Sequence, residues 1–390
     1  MEVRVRPETL KPVNGGDSRL ERLRQLLAAA DVEVGGNRPW DIQIHDPETA
    51  QRILGHGSLG LGESYADGWW DCAAVDAFVD RVLRADLQRQ VKNPEALLLA
   101  IESRLFNRQS LARAWTVARQ HYDLGNEFFS AMLDPYMVYS CGYWAQASTL
   151  EAAQEAKLEL VCAKLGLKPG MRLLDVGCGW GGLMRWAAEH HGVECTGLTN
   201  SRQQAAWGEQ RCKGLPVEFV LSDYRCFEDQ PERRFDRIAS VGMFEHVGHA
   251  NYRRFFETMR ALLHDDGLLL LHTIGKNDRG RSIDPWMERN IFPNGELPAL
   301  SEITDACEGL FVVEDVHNFG ADYDRTLMAW HQRFEATWPQ FRERYGDRFH
   351  RIWRYYLLAC AGSFRARSNQ LWQVVLSPVG VGGGYRRPLM

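Results

Sequence analysis

The residues best placed to do chemistry stand where apolar runs stop. Leu173 to Gly182 reads LLDVGCGWGG: an apolar run carries the acid Asp175, and a loop follows with glycines at Gly177, Gly179, Gly181 and Gly182. Glycine allows turn dihedrals that a Cβ forbids and lets backbone amides come close to a ligand, and a helix starting near Leu183 presents unpaired N–H groups. A dinucleotide fingerprint would space the glycines G-x-G-x-x-G. Here the spacing is G-x-G-x-G-G, and Asp175 would meet a pyrophosphate with like charge, so a cationic ligand suits the loop better. Further on, Glu245 and His246 sit in SVGMFEHVG (Ser240–Gly248), and His272 follows Leu268–Leu271 directly. A carboxylate and imidazoles in a crevice can act as acid, base or ligand, and an imidazole driven into an apolar run needs a partner. A solvated glutamate and packed, hydrogen-bonded histidines are the plain alternatives.

The elements that must carry these groups alternate in kind. The spacing predicts a helix over Glu151–Leu165, strand Arg172–Val176, helix Leu183–His190, strand Glu194–Thr199, helix Arg202–Cys212, strands Val217–Leu221 and Asp236–Val241, helix Asn251–Leu263 and strand Gly267–Thr273. Strands separated by helices make a mostly parallel sheet with right-handed crossovers, and ligands bind at the carboxyl ends of its strands. The glycine loop, Thr199, Asp223, Gly242 and His272 all fall there. Thr199 and Gln204 are the polar candidates after the second strand, and Asp223 with Tyr224 follows the third; ordinary helix capping is the competing reading.

Ahead of this sheet the pattern differs. Leu20, Leu23, Leu26 and Leu27 share a helical face, WDIQI (Trp40–Ile44) alternates, and a helix fits Ala74–Arg84. The chain divides into a small α+β domain over 1–95, a helical linker over 96–119 with Arg104, Arg108, Arg113 and Arg119, and a ligand-binding domain over 120–390. FRERYGDRFHRIWRYYLL (Phe341–Leu358) places Phe341, Tyr345, Phe349 and Trp353 on one stripe among five arginines. Such a helix fits an acyl-chain channel near anionic headgroups or the domain's own core.

The totals exclude several classes. Over 390 residues, 46 basic against 51 acidic side chains give a formal charge of −5, which argues against nucleic acid as a partner. Nine cysteines with no C-x-x-C spacing suggest neither a zinc site nor a disulfide framework, so no metal is expected and the chain reads as reduced and cytoplasmic. MEVRVRPETLKPVNGGDSRL lacks the apolar core of a secretion signal, and the apolar runs are far shorter than a membrane span. Contact with lipid is expected to be peripheral.

LLDVGCGWGG resembles the first motif of class I methyltransferases, whose loop wraps S-adenosylmethionine. Together with YSCGYW (Tyr139–Trp144), SVGMFEHVG, LLHTIG (ending at Gly275), IFPNGELP (Ile291–Pro298), NFGADYDRTLMAW (Asn318–Trp330), ACAGSFRAR (Ala359–Arg367) and GLGESYADGWW (ending at Trp70), it is similar to the cyclopropane-fatty-acyl-phospholipid synthases. The resemblance implies the class I methyltransferase fold, a mostly parallel Rossmann-like sheet with helices on both faces beside a small α+β N-terminal domain. It implies transfer of the methyl of S-adenosylmethionine to a cis double bond of a phospholipid acyl chain, then loss of a methyl proton to a bound bicarbonate. Cys141, Glu245, His272, the backbone at Ile274, and Tyr323 would hold the bicarbonate. Tyr139 and Ser140 would touch the cofactor, with Asp175, Gly177, Gly179, Thr199, Gln204, Asp223 and Tyr224. Cys360 lies where the family has been assigned a nucleophile, a role methyl transfer to an alkene does not need. Tyr139, Trp144, Phe244 and Trp330 are candidates for cation–π stabilisation, worth about 1 to 2 kcal/mol each when desolvated. The resemblance also implies lipid and dimer contacts through the N-terminal domain, in a homodimer peripherally associated with the inner face of the membrane. A small-molecule N- or C-methyltransferase would not need the base constellation, and a non-catalytic lipid or cofactor binder would be expected to lack Glu245 or His272.

Overall fold

The computed structural model describes residues 18–91, 125–227, 233–279 and 283–389; the linker helix expected between 96 and 119 lies outside them. The N-terminal part holds helices Ser18–Ala28, Thr49–Ala66 and Val75–Arg84 with an antiparallel pair of short strands, β1 (Gln43–Ile44) and β2 (Trp70–Asp71). The central sheet contains β3 (Arg172–Val176), β4 (Glu194–Thr199), β5 (Val217–Leu221), β6 (Phe235–Val241), β7 (Leu263–Lys276), β8 (Val312–Asn318) and β9 (Asn369–Ser377) in the order β5-β4-β3-β6-β7-β9-β8. β3 to β7 run parallel, and β9 lies antiparallel between β7 and β8.

The helix and strand pattern agrees with the sequence reading to within a residue or two, except at β7. That strand continues to Lys276 because β9 pairs with it as far as Lys276↔Asn369, although its pairing with β6 ends at Val241↔His272. His272 therefore sits at the strand's tip with respect to β6 and inside the ladder with respect to β9. Local chemistry sets the helix starts: the Thr149 hydroxyl accepts from Ala152 N, and that of Ser201 from Gln204 N.

Helices Thr49–Ala66 and Val75–Arg84 pack on helix Arg342–Arg365, Thr49–Ala66 also packs on helix Pro285–Asn290, and Ser18–Ala28 packs on Thr49–Ala66. Leu23, Leu27, Trp70 and Phe78 join Trp286, Trp330 and Trp353 in one continuous core. Gly62 is required there, because a Cβ would stand 2.4 Å from the Trp286 ring.

The stripe from Phe341 to Trp353 resolves to packing. Phe341, Tyr345, Phe349 and Trp353 surround the Phe128 ring at centroid distances of 5.5, 5.6, 5.6 and 5.0 Å. The helix's arginines have protein partners: Arg348 pairs with Glu63 and Asp67, Arg351 with Asp71, Arg342 with Asp347, Arg344 with Glu127, and Arg354 with Glu335. Phe128 takes up the aromatic stripe, and carboxylates of the N-terminal part (Glu63, Asp67, Asp71) and of later helices (Glu335, Asp347) pair with the arginines.

Candidate functional site

The glycine loop meets its structural neighbours before any ligand. Gly177 has φ +84° and a Cβ there would lie 2.5 Å from Met243 Cγ; one at Gly182 would lie 2.3 Å from the Tyr136 carbonyl oxygen. The amides of Gly177 and Cys178 both donate to the Leu198 carbonyl, at 3.0 and 2.9 Å. They tie the loop to β4 and are not aimed at a ligand. Gly179 differs: its φ is +55° and nothing lies within 4 Å of a built Cβ, so the loop is open there. Asp175, at the end of β3, is fully buried, and burial pushes its carboxyl up to about 7 against the pull of the Lys157 ammonium. Lys157, itself brought down to about 8 by burial, donates to Ser140 Oγ at 3.1 Å. The sequence reading missed this lysine; it is one of two lysines, with Lys164, on the buried face of helix Leu150–Leu165, and a cation among apolar neighbours was the available signal.

Beside the loop, Thr199 Oγ1 donates to Gln204 Oε1 at 3.2 Å, and both side chains are buried. Asp223 is occupied more firmly. Its Oδ1 and Oδ2 each accept from the Arg225 guanidinium at 2.8 Å, a bidentate pair. Tyr224 turns inward, its ring 5.5 Å from that of Phe255. The structure thus leaves Asp223 backed by an arginine at the strand tip and places the Tyr224 ring in the core.

The second cluster forms where β6 and β7 end. Glu245 follows β6 in a short 3-10 turn, and its Oε1 accepts the Ile274 N–H at 2.7 Å. Ile274 thereby orients the carboxylate, since its own N–H is taken. Glu245 Oε2 is buried without a partner, and burial drives the carboxyl up to about 7. His272 is 1% exposed; its Nδ1 lies 3.3 Å from Gln373 Nε2 while its Nε2 has no partner. Burial holds it well below the usual histidine range, so the ring is neutral. Two unsatisfied buried polar atoms cost free energy unless something pairs with them. His246 is likewise neutral, lowered to about 4 by burial. Tyr323 and Cys141 are buried, with the phenol and the thiol both raised well above their usual values by burial. Burial also pushes the Cys360 thiol up to about 12, which leaves no thiolate there.

Several of these groups border an apolar cavity of about 600 Å³, within the range of small-molecule pockets. Tyr139, Glu245, His246, Ile274, Tyr323 and Cys360 line it; Cys141 and His272 are not among its lining residues. The Tyr139 hydroxyl is 2.8 Å from that of Tyr356, another lining residue. The other walls come from Leu23 and Leu27, Ile53 and Leu61, Phe78 and Val82 of the three N-terminal helices, and from Tyr355, Ala359 and Phe364 of helix Arg342–Arg365. Sequence reading had not placed N-terminal residues in the site, because their apolar face is the same signal a helix shows when it packs on a core.

Among the aromatic candidates, Tyr139 alone lines the cavity. Phe244 stacks on Tyr252 at 4.4 Å in the core, Trp330 is 0% exposed, and Trp144 has Arg325 over its ring at 4.5 Å.

A family model described as mycolic acid cyclopropane synthetase matches residues 109–374. The chain is 52% identical over 363 residues to the cyclopropane-fatty-acyl-phospholipid synthase of Escherichia coli (strain K12), covering 93% of this chain and 94% of that one. Among solved structures, the cyclopropane synthase MmaA2 from Mycobacterium tuberculosis superposes with a TM-score of 0.63 at 32% identity, over 67% of this chain and 97% of that chain. Mycolic acid cyclopropane synthase CmaA1, complexed with SAH and CTAB, does so with a TM-score of 0.61 at 34% identity, over 67% of this chain and 97% of that chain. The family model starts beyond the N-terminal helices, whereas the match to the Escherichia coli enzyme spans nearly the whole chain.

Proposed function

Since this chain belongs to the mycolic acid cyclopropane synthetase family, we propose that it is an S-adenosylmethionine-dependent enzyme that cyclopropanates unsaturated acyl chains of phospholipids. The observation that carries this reading is the apolar cavity whose wall bears Glu245, Tyr139 and Tyr323. An acyl chain lying along it would leave water behind along its length. That matters because a methyl transferred to an alkene leaves a carbocation, which must meet no competing nucleophile until a proton departs from the added methyl and the ring closes.

Each residue then has a task in that scheme. The loop at Gly179, with Tyr139 and Ser140 beside Lys157, would hold the methyl donor against the cavity end, and Thr199, Gln204 and Asp223 would border its nucleoside side. Tyr139 offers a ring face to positive charge. Cys141 and Cys360, kept as thiols by burial, present no anionic nucleophile to be alkylated.

Proton removal needs a base, and the side chains present suit a small one bound between them. Glu245 Oε2 can accept an O–H while His272 Nε2 and the Tyr323 hydroxyl can donate to oxygens. A bicarbonate fits that donor and acceptor set, and when bound it supplies the base. Glu245, anchored by the Ile274 N–H, fixes its orientation.

The test is to incubate the purified chain with S-adenosylmethionine and vesicles of unsaturated phosphatidylethanolamine and phosphatidylglycerol. A gain of one CH₂ per modified acyl chain with loss of the double bond is expected. Methylation of a soluble amine without lipid turnover would defeat the proposal. Depleting carbonate from the buffer should slow turnover and added bicarbonate restore it. No helix among the described residues is long and apolar enough to cross a membrane; peripheral docking on the inner face of the membrane and a homodimer belong to the same reading, tested by vesicle flotation and light scattering.

A further inference from the structure

β9 contributes a residue that neither motif nor spacing pointed to. In LWQVVL, Leu371, Val374, Val375 and Leu376 are all 0% exposed, and Gln373 among them is 0% exposed as well. An amide buried in an apolar strand is costly unless hydrogen-bonded. The register gives it two flanking imidazoles: Gln373 is directly opposite His272 on β7 and directly opposite His317 on β8. Direct antiparallel partners share one face of the sheet, so His272, Gln373 and His317 form a polar row. Ile274, two residues beyond His272 and hence on the same face, lines the cavity and holds Glu245.

The two imidazoles have their tautomers set from different sides. His317 Nδ1 lies 3.2 Å from Lys164 Nζ, and Lys164 also pairs with Asp315 at 3.2 Å. An ammonium only donates, so His317 Nδ1 accepts. For His272 the neighbour at Nδ1 is the Gln373 amide nitrogen, at 3.3 Å. With the amide in this orientation its N–H₂, which only donates, faces Nδ1 and places the His272 ring proton on Nε2, while Gln373 Oε1 is buried without a partner.

We propose that Gln373 is a positioning residue: its side-chain amide keeps His272 in the Nε2–H tautomer, so that the unpartnered Nε2 is a donor available to the base. This rests on the reading that Glu245 and His272 hold a small oxyanion base. A neutral imidazole in the other tautomer would present a lone pair to that oxyanion and repel it, so one buried amide decides whether the site attracts its base.

The experiment uses the full chain with ring-¹⁵N histidine and bound S-adenosylhomocysteine, the His272 signals assigned by their loss in His272→Gln. Nitrogen shifts showing a protonated Nε2 and a bare Nδ1 are expected; a protonated Nδ1 overturns the proposal. Gln373→Leu should then mix the tautomers and lower kcat/KM for bicarbonate about 10- to 100-fold, the range for residues that orient a ligand's partner, with KM for S-adenosylmethionine within about twofold. A folded Gln373→Leu with unchanged bicarbonate dependence also overturns it. Should that variant fail to fold, the wild-type tautomer decides alone. Wild-type turnover indifferent to bicarbonate would defeat the base reading instead, while the tautomer still tests the Gln373 contact.

Discussion

The two ends of this site are built on different length scales. At the tips of β4 and β5 the polar side chains find partners close in sequence: Thr199 bonds Gln204 five residues on, and Asp223 bonds Arg225 two residues on. At the cavity end, Glu245 reaches Ile274 across 29 residues, His272 reaches Gln373 across 101, and Tyr139 reaches Tyr356 across 217. The first end is a set of local turns that a short stretch can specify. The second exists only when β6, β7, β9 and helix Arg342–Arg365 have come together, and there polar atoms are left for something else to satisfy.

If the two ends are separable, substitutions should fall on one or the other. Glu245→Gln should have the largest effect, lowering lipid turnover about 10²- to 10⁴-fold as expected for a group that serves proton transfer, while calorimetry finds S-adenosylmethionine bound as in the wild type. Loss of cofactor binding in that variant would show that the ends are one unit.

The same carboxyl should also set a pH dependence of stability. Its folded value of about 7 lies above its ordinary 4.5, so the native state holds a proton that the unfolded chain has released. Stability therefore falls as pH rises between those values, by about 3 kcal/mol in all. Thermal unfolding should find Glu245→Gln and the wild type alike near pH 4 and the variant more stable above pH 7; parallel curves would count against the buried carboxyl.

Gly177→Ala strikes the local end. A φ of +84° and a Cβ 2.5 Å from Met243 should cost about 1–3 kcal/mol and weaken S-adenosylmethionine binding in a thermal-shift titration. Leu61→Trp narrows the cavity from its N-terminal wall. It should raise the apparent KM for phospholipid about tenfold, equivalent to about 1.4 kcal/mol, with cofactor affinity unchanged; unchanged lipid kinetics would remove the N-terminal helices from the substrate path. Smallest of all, Cys360→Ser should keep turnover within about twofold, because the thiol there is held protonated up to about 12. A loss beyond tenfold would restore the nucleophile reading.

Much of this was legible beforehand, for reasons that differ by region. The parallel strands were legible because each is an apolar run bounded by turns, and the glycine loop because backbone conformation leaves a mark in residue type. The aromatic stripe of helix Arg342–Arg365 was legible as a stripe but not in its direction: it faces Phe128, and the next turns of the same helix, at Tyr355, Tyr356 and Ala359, face the cavity. That Arg348 and Arg351 of this helix pair with carboxylates of the N-terminal part could not be read from the stripe itself. Gln373 was invisible, since one glutamine in a strand says nothing of its register.

By itself the sequence determined the order of strands and helices, the glycine loop after the first parallel strand, and the residue types that gather at the strand ends, because period and turn chemistry are properties of neighbouring residues. The tertiary structure alone decided which apolar faces enclose a cavity and which enclose each other, and which buried polar atoms are left unpaired at its end. Those outcomes depend on contacts between segments a hundred or more residues apart, where the free energy of burial is the same whichever apolar partner arrives.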